Sequence, residues 1–100
     1  MDQLEQIKTI LESHLGKKNK IPSWQIADKL GIIEDATHAE TRAKILECAR
    51  KYKLPLAANT TGYYLITCQE EYEEYINNLE GRIKGIEERI EIIKKNYKGE

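Results

Sequence analysis

The chain has 100 residues, enough for one compact domain with a modest core, so oligomerisation would help to stabilise it. One third of the residues are charged and no apolar run approaches the length of a membrane span, so we expect no membrane partner. The formal net charge is −1, with a balance of +2 over residues 1–68 and −3 over residues 69–100. Charge alone therefore gives only weak support for nucleic-acid binding.

The residue types that carry most catalytic and metal-binding chemistry form no recognisable pattern. Cys48 and Cys68 are far apart and make no CxxC pair, which is typical of reduced thiols in a cytoplasmic protein. The polar stretch after Met1 does not resemble a signal peptide. There is no Ser/His/Asp order, no phosphate-binding glycine loop and no pair of His or Cys ligands. We expect no enzyme activity, no metal and no cofactor.

The chain opens with a predicted helix from about Asp2 to Leu15, because apolar residues recur there at helical spacing. Gly16 is the predicted stop of this helix. A basic loop follows, with Lys17, Lys18 and Lys20. These lysines either bind DNA phosphates or are simply solvated.

A short second helix is predicted to begin at Ser23, whose hydroxyl can cap it, and to end at Gly31. Trp24 lies on the apolar face of this helix, so we expect it in the core.

The third helix is predicted to start at Thr37, because Thr37 and Glu40 match a capping box. Its start is expected to favour a phosphate. One face is apolar, with steps of four, three and four residues: Thr41, Ile45, Cys48 and Tyr52. Three polar side chains point elsewhere: His38, Arg42 and Lys44.

A small hairpin is predicted after the third helix. Pro55 disfavours helical geometry before it, so residues 54–58 are read as a short strand. Turn residues follow at 59–62, and the aromatic and β-branched run at 63–67 is the returning strand.

A long last helix is predicted from a second capping box, Thr67 with Glu70, to about Lys95 or Tyr97. Its apolar residues alternate in steps of four and three, which is a heptad pattern of period 3.5. We call them the apolar stripe: Tyr72, Ile76, Leu79, Ile83, Ile86, Ile90, Ile93 and Tyr97.

This order of elements predicts a mainly α fold with a small β-hairpin, specifically a winged helix-turn-helix over residues 1–68. In that fold the third helix enters the major groove and the hairpin is the wing. Residues 69–100 are then a C-terminal coiled-coil oligomerisation helix.

Five motifs in their order resemble small phage and prophage winged-helix proteins, over about Ile21 to Ile93. The motifs are Ile21–Gly31, Thr41-Arg42 with Ile45, Leu54-Pro55-Leu56, Gly62-Tyr63-Tyr64, and, in the last helix, Arg82-Ile83 with Ile86. The resemblance implies a DNA-binding protein of phage regulation or replication. This chain departs from the family in an acidic third-helix region and a wing tip without Lys or Arg.

Each polar candidate for DNA contact has a plainer alternative. Arg42 is placed to pair with guanine, or else to form a surface ion pair with Glu40 or Glu47. His38 is a base or phosphate contact, or a solvated residue at a helix start. The predicted DNA-binding set is Lys17, Lys18, Lys20, Thr37, His38, Arg42, Lys44, Asn59, Thr60 and Thr61.

The apolar stripe from Tyr72 to Ile93 is predicted to be the oligomer interface, because its far end lies beyond the reach of a small domain. Ile at both seam positions favours trimers or tetramers, whereas DNA half-sites favour a two-fold dimer. We expect a dimer first and a tetramer next. The leading hypothesis is an oligomer that binds double-stranded DNA through helix three and the wing. The alternative is a winged-helix protein-interaction module, such as a phage-encoded inhibitor of a host protein.

Overall fold

The computed structural model describes residues 2–34 and 38–99. It confirms a mainly helical chain with one small antiparallel hairpin and a long C-terminal helix. Among the described residues, no helix is long and apolar enough to cross a membrane. The elements are α1 (Gln3–Glu12), a 3-10 turn (Lys17–Asn19), α2 (Ser23–Leu30), α3 (Ala39–Tyr52), β1 (Leu56–Asn59), β2 (Gly62–Leu65) and α4 (Gln69–Asn96).

The core lies where α1, α2 and α3 meet the inner face of the hairpin. The apolar face predicted for α3 is confirmed, since Thr41, Ile45 and Cys48 are buried. The spacing of apolar residues brings one stripe from each helix to the same centre. The fully buried apolar side chains at that centre include Ile7, Leu11, Ile21, Ile26, Ile45 and Cys48.

The first helix ends at Glu12, three residues before the predicted Leu15. The chain beyond it is extended because it hydrogen-bonds to β2. The Leu65 amide donates to the His14 carbonyl at 3.1 Å, and the Gly16 amide donates to the Leu65 carbonyl at 2.8 Å. The helical spacing of apolar residues could not reveal that residues after Glu12 pair with β2 instead of continuing α1.

The connection from α1 to α2 pairs with β2 a second time, through a single antiparallel bridge. Ile21 and Tyr63 exchange two backbone hydrogen bonds, each 2.8 Å long. Gly62 lies directly against this bridge, and a Cβ atom there would stand 2.8 Å from the carbonyl carbon and oxygen of Ile21. The backbone of the hairpin therefore packs directly against the backbone just before α2.

Two expectations for α2 are wrong. Ser23 is the first helical residue rather than the cap, which is Pro22. Trp24 is 56% exposed and does not join the core. Ile26 and Ala27 occupy the buried face, and Trp24 is two positions before Ile26, roughly 200° around the helix. The helix does end at Gly31, which adopts the left-handed conformation as expected.

The last helix projects away from the rest of the molecule. None of the 28 residues of α4, all of them described, is buried. The radius of gyration is 16.8 Å, against about 13 Å for a compact chain of this length, and the longest dimension is 55 Å. The folded body therefore ends near the start of α4.

We expect Gly62→Ala to lower the free energy of unfolding by about 1–3 kcal/mol, because the added methyl would push apart the bridge between β2 and Ile21. Urea unfolding followed by circular dichroism measures the change. The control is Gly81→Ala on α4, where the methyl meets open space and helix propensity improves. A loss of stability in both variants, or in neither, would contradict the close approach.

Candidate nucleic-acid interface

An open cleft of about 560 Å³ separates the start of α2 from the hairpin turn. Arg42, on α3, lines the same cleft and is exposed. The structure thus brings together one cation of α3 and the three predicted residues of the hairpin turn. Its polar and aromatic lining is Ser23, Trp24, Arg42, Asn59, Thr60, Thr61 and Tyr63.

The hairpin turn is held by the side chain of Asn59. Its Oδ1 atom accepts hydrogen bonds from the Thr61 amide at 2.9 Å, the Thr61 hydroxyl at 2.7 Å and the Gly62 amide at 3.1 Å. Asn59 thus acts as an organiser of the turn, as Asn often does. Thr60 and Thr61 are exposed at its tip.

The N-terminus of α2 opens on the cleft. None of the described side chains caps this end, and the Pro22 carbonyl accepts from Gln25 and Ile26. The first-turn amides, at Ser23 and Trp24, belong to residues that line the cleft. An uncapped helix start combines N–H donors with the positive end of the helix dipole, so it suits an anion.

The N-terminus of α3 is occupied instead by a carboxylate of the protein. Both Glu34 oxygens accept from the Thr41 amide, at 3.3 and 3.4 Å, and His38 Nδ1 lies 3.2 Å from Oε1. Hydrogen bonding from Thr41 and then from His38 lowers the pKa of Glu34. A phosphate at this helix start would therefore have to compete with Glu34.

The capping box predicted for α3 is also wrong. His38, in the left-handed conformation, is the N-cap residue, and Glu40 is exposed and paired with Lys44 at 3.1 Å. Lys44 also hydrogen-bonds to Gln3 of α1. Thr37 lies outside the described residues. Of the predicted α3 contacts, His38 and Lys44 thus have partners within the chain, whereas Arg42 faces the cleft.

The basic loop is divided between internal contacts and solvent. The Lys17 ammonium pairs with Glu74, and the hydrogen bond to that carboxylate raises the pKa of Lys17. Lys18 is exposed and Lys20 is half-buried next to Ile21. Lys18 and Lys20 are therefore the loop cations left for an outside anion.

Glu71 joins the start of α4 to the basic loop. Its Oε1 accepts from the Thr67 amide at 2.9 Å and the Thr67 hydroxyl at 3.1 Å, and its Oε2 accepts from the Lys17 amide at 2.8 Å. These hydrogen bonds, first from Lys17 and then from Thr67, lower the pKa of Glu71. The predicted capping box with Glu70 was wrong by one residue, because Cys68 and not Thr67 is the N-cap.

A second depression, which we call the α3 groove, runs along the outer face of α3 and has a volume of about 640 Å³. Leu46 at its centre is 50% exposed. Of the described residues that line it, only Arg42 and Arg50 are charged, and the apolar and aromatic ones are Ala39, Ala43, Leu46, Ala49, Leu54, Leu56, Ala58, Tyr63 and Tyr75. The groove is not recognisable in the sequence, since its residues come from α3, the segment after it, β1, β2 and α4.

No protein-family model, curated protein or solved structure matches the chain. Within residues 2–34 and 38–99, no group of His, Cys, Asp or Glu is arranged to hold a metal ion.

We expect Glu71→Gln to destabilise the protein at pH 7 but not at strongly acidic pH. The folded-state pKa of Glu71 lies below its ordinary value of 4.5. The ionised carboxylate therefore contributes its full stabilisation of the fold at pH values above 4.5. This stabilisation is lost as the pH falls through the folded-state pKa. Urea midpoints between pH 7 and pH 2 test this. Glu70→Gln is the control, and an equal effect of the two substitutions would disprove the role of Glu71.

Proposed function

We propose that the chain is a winged helix-turn-helix protein that binds double-stranded DNA as an oligomer. The observation that carries this proposal is that the cleft joins an uncapped helix start, Arg42 and the hairpin turn. The order of the elements and the pairing of the α1–α2 connection with the hairpin also fit a winged helix. The resemblance of the sequence to phage and prophage winged-helix proteins favours a role in regulation or replication.

Each part of the cleft has a chemical counterpart on a DNA duplex. The first-turn amides of α2 suit a phosphate, and the Thr60 hydroxyl can donate to a backbone oxygen. The Arg42 guanidinium has the fork geometry that pairs with guanine or with a phosphate. The hairpin is then the wing, and the N-terminal half of α3 faces the major groove.

The number of free cations predicts how binding depends on salt. Of the cations in the predicted DNA-binding set, Lys18, Lys20 and Arg42 remain for phosphates, because Lys17 and Lys44 are paired internally. Three phosphate contacts give a slope of log K against log salt of about −2.7 per chain. This is a modest electrostatic contribution, as the charge balance of residues 1–68 also implies. The two free thiols suit a reducing compartment such as the cytoplasm.

We expect Arg42→Ala to weaken DNA binding by about tenfold, because a guanidinium contact to a base or phosphate contributes on the order of 1–3 kcal/mol. Fluorescence anisotropy with a mixed pool of labelled duplexes at about 50 and 200 mM salt measures affinity and slope. Lys95→Ala is the control, since it removes the same charge at the far end of α4. Absence of binding by the unaltered chain at the lower salt would overturn the proposal.

A second candidate function is supported by the α3 groove. A helix that reads DNA usually presents polar groups, whereas the centre of this face is Leu46 between alanines. A protein-interaction module is the function this observation favours. The fitting partner is an amphipathic helix whose apolar face is flanked by carboxylates, which would pair with Arg42 and Arg50. Salt-independent or absent DNA binding favours this function.

A further inference from the structure

We propose that the apolar stripe of α4 pairs in parallel with the same stripe of a second copy of this chain. The exposed fraction of the stripe is high for large apolar residues: Tyr72 is 49% exposed, Ile83 56%, Ile86 51%, Ile90 49% and Ile93 66%. Soluble proteins rarely leave a continuous apolar face of this size in water. A partner surface is required.

The folded body of the same chain cannot cover the stripe. Tyr72 and Ile93 are 21 positions apart, which is about 32 Å along a helix, and α4 projects from the core. The first turns of α4 adjoin the rest of the described molecule: Glu71 and Glu74 bind Lys17, and Tyr75 lines the α3 groove. The occupant of the remaining stripe comes from another molecule.

A second α4 fits because the stripe has the period of a coiled coil. Ile76, Ile83 and Ile90 take position a, whereas Tyr72, Leu79, Ile86 and Ile93 take position d. This alternation keeps one seam facing a partner helix over three heptads. An identical helix supplies the same period and length, so the pairing is self-complementary.

The charges beside the seam favour the parallel orientation. In a parallel pair, Arg82 faces the partner's Glu87, which is an attraction that occurs twice. Arg89 faces the partner's Lys94, but that repulsion lies near the exposed end of the helix. In an antiparallel pair, Glu80 meets the partner's Glu87 and Arg82 meets the partner's Arg89. Both of these contacts flank the middle of the seam and both repel, whereas the attraction of Glu73 for the partner's Lys94 lies at its ends.

The parallel arrangement places both folded bodies at the same end of the coil. Two copies of the DNA-binding cleft are then related by a two-fold axis, as two half-sites require. The count of two chains rests on the proposed DNA function, since isoleucine at both seam positions is also compatible with larger bundles. Sedimentation without DNA tests the pairing separately from DNA binding.

The decisive comparison is between two isoleucines of the same helix. Ile90 is in the stripe and Ile92 is at position c, and they are 49% and 55% exposed. We expect Ile90→Asp to lower the sedimentation-equilibrium mass from two chains to one, of 11.6 kDa, and Ile92→Asp to leave it at two. Helix propensity changes equally in both variants. An equal effect of the two substitutions, a monomeric parent chain, or a mass of three or four chains would overturn the proposal.

Orientation is tested with the native thiols. Cys68 is exposed at the start of α4, whereas Cys48 is buried. In a parallel pair the two Cys68 residues lie about 10 Å apart, the usual spacing of packed helices. In an antiparallel pair centred on the stripe they are roughly 50 Å apart. We expect a short bismaleimide to cross-link the dimer through Cys68 and not to cross-link Cys68→Ser. A stable dimer that resists cross-linking would exclude the parallel arrangement.

Discussion

The pair of hydrogen bonds between Ile21 and Tyr63 is the contact on which the arrangement of the molecule depends. It holds the hairpin against the entry to α2, and Gly62 permits this approach because it has no Cβ atom. A hairpin of two strands is barely stable alone, so its position must come from the body it joins. Without this bridge, the turn of the hairpin, Arg42 and the start of α2 would not line a common cleft.

The regular elements could be predicted from the sequence, because burial imposes a period on apolar residues. The apolar face of α3 and the hairpin were expected from Thr41, Ile45 and Pro55, and the structure confirms both. Helix ends were harder to predict because they depend on distant partners. α1 ends early where its chain meets Leu65, and Glu71 rather than Glu70 accepts hydrogen bonds from Thr67 and from the distant Lys17 amide.

The candidate site was predictable only in part, because sequence analysis identifies polar residues without their partners. Lys17 and Lys44 looked as available as Lys18, yet carboxylates of α4 and α3 hold them. The proposed interface that remains is small: Arg42, two lysines, the threonines of the turn and the N-terminus of α2. The α3 groove could not be seen at all, since leucines and alanines of separate segments become a surface only on folding.

The exposure of Trp24 has a practical consequence. It is the single tryptophan of the chain, it is 56% exposed, and it lines the cleft rather than the core. Its indole is therefore an intrinsic fluorophore located where a ligand would arrive. Emission from the unlabelled protein will report the polarity of that location, largely independent of the packing of the interior.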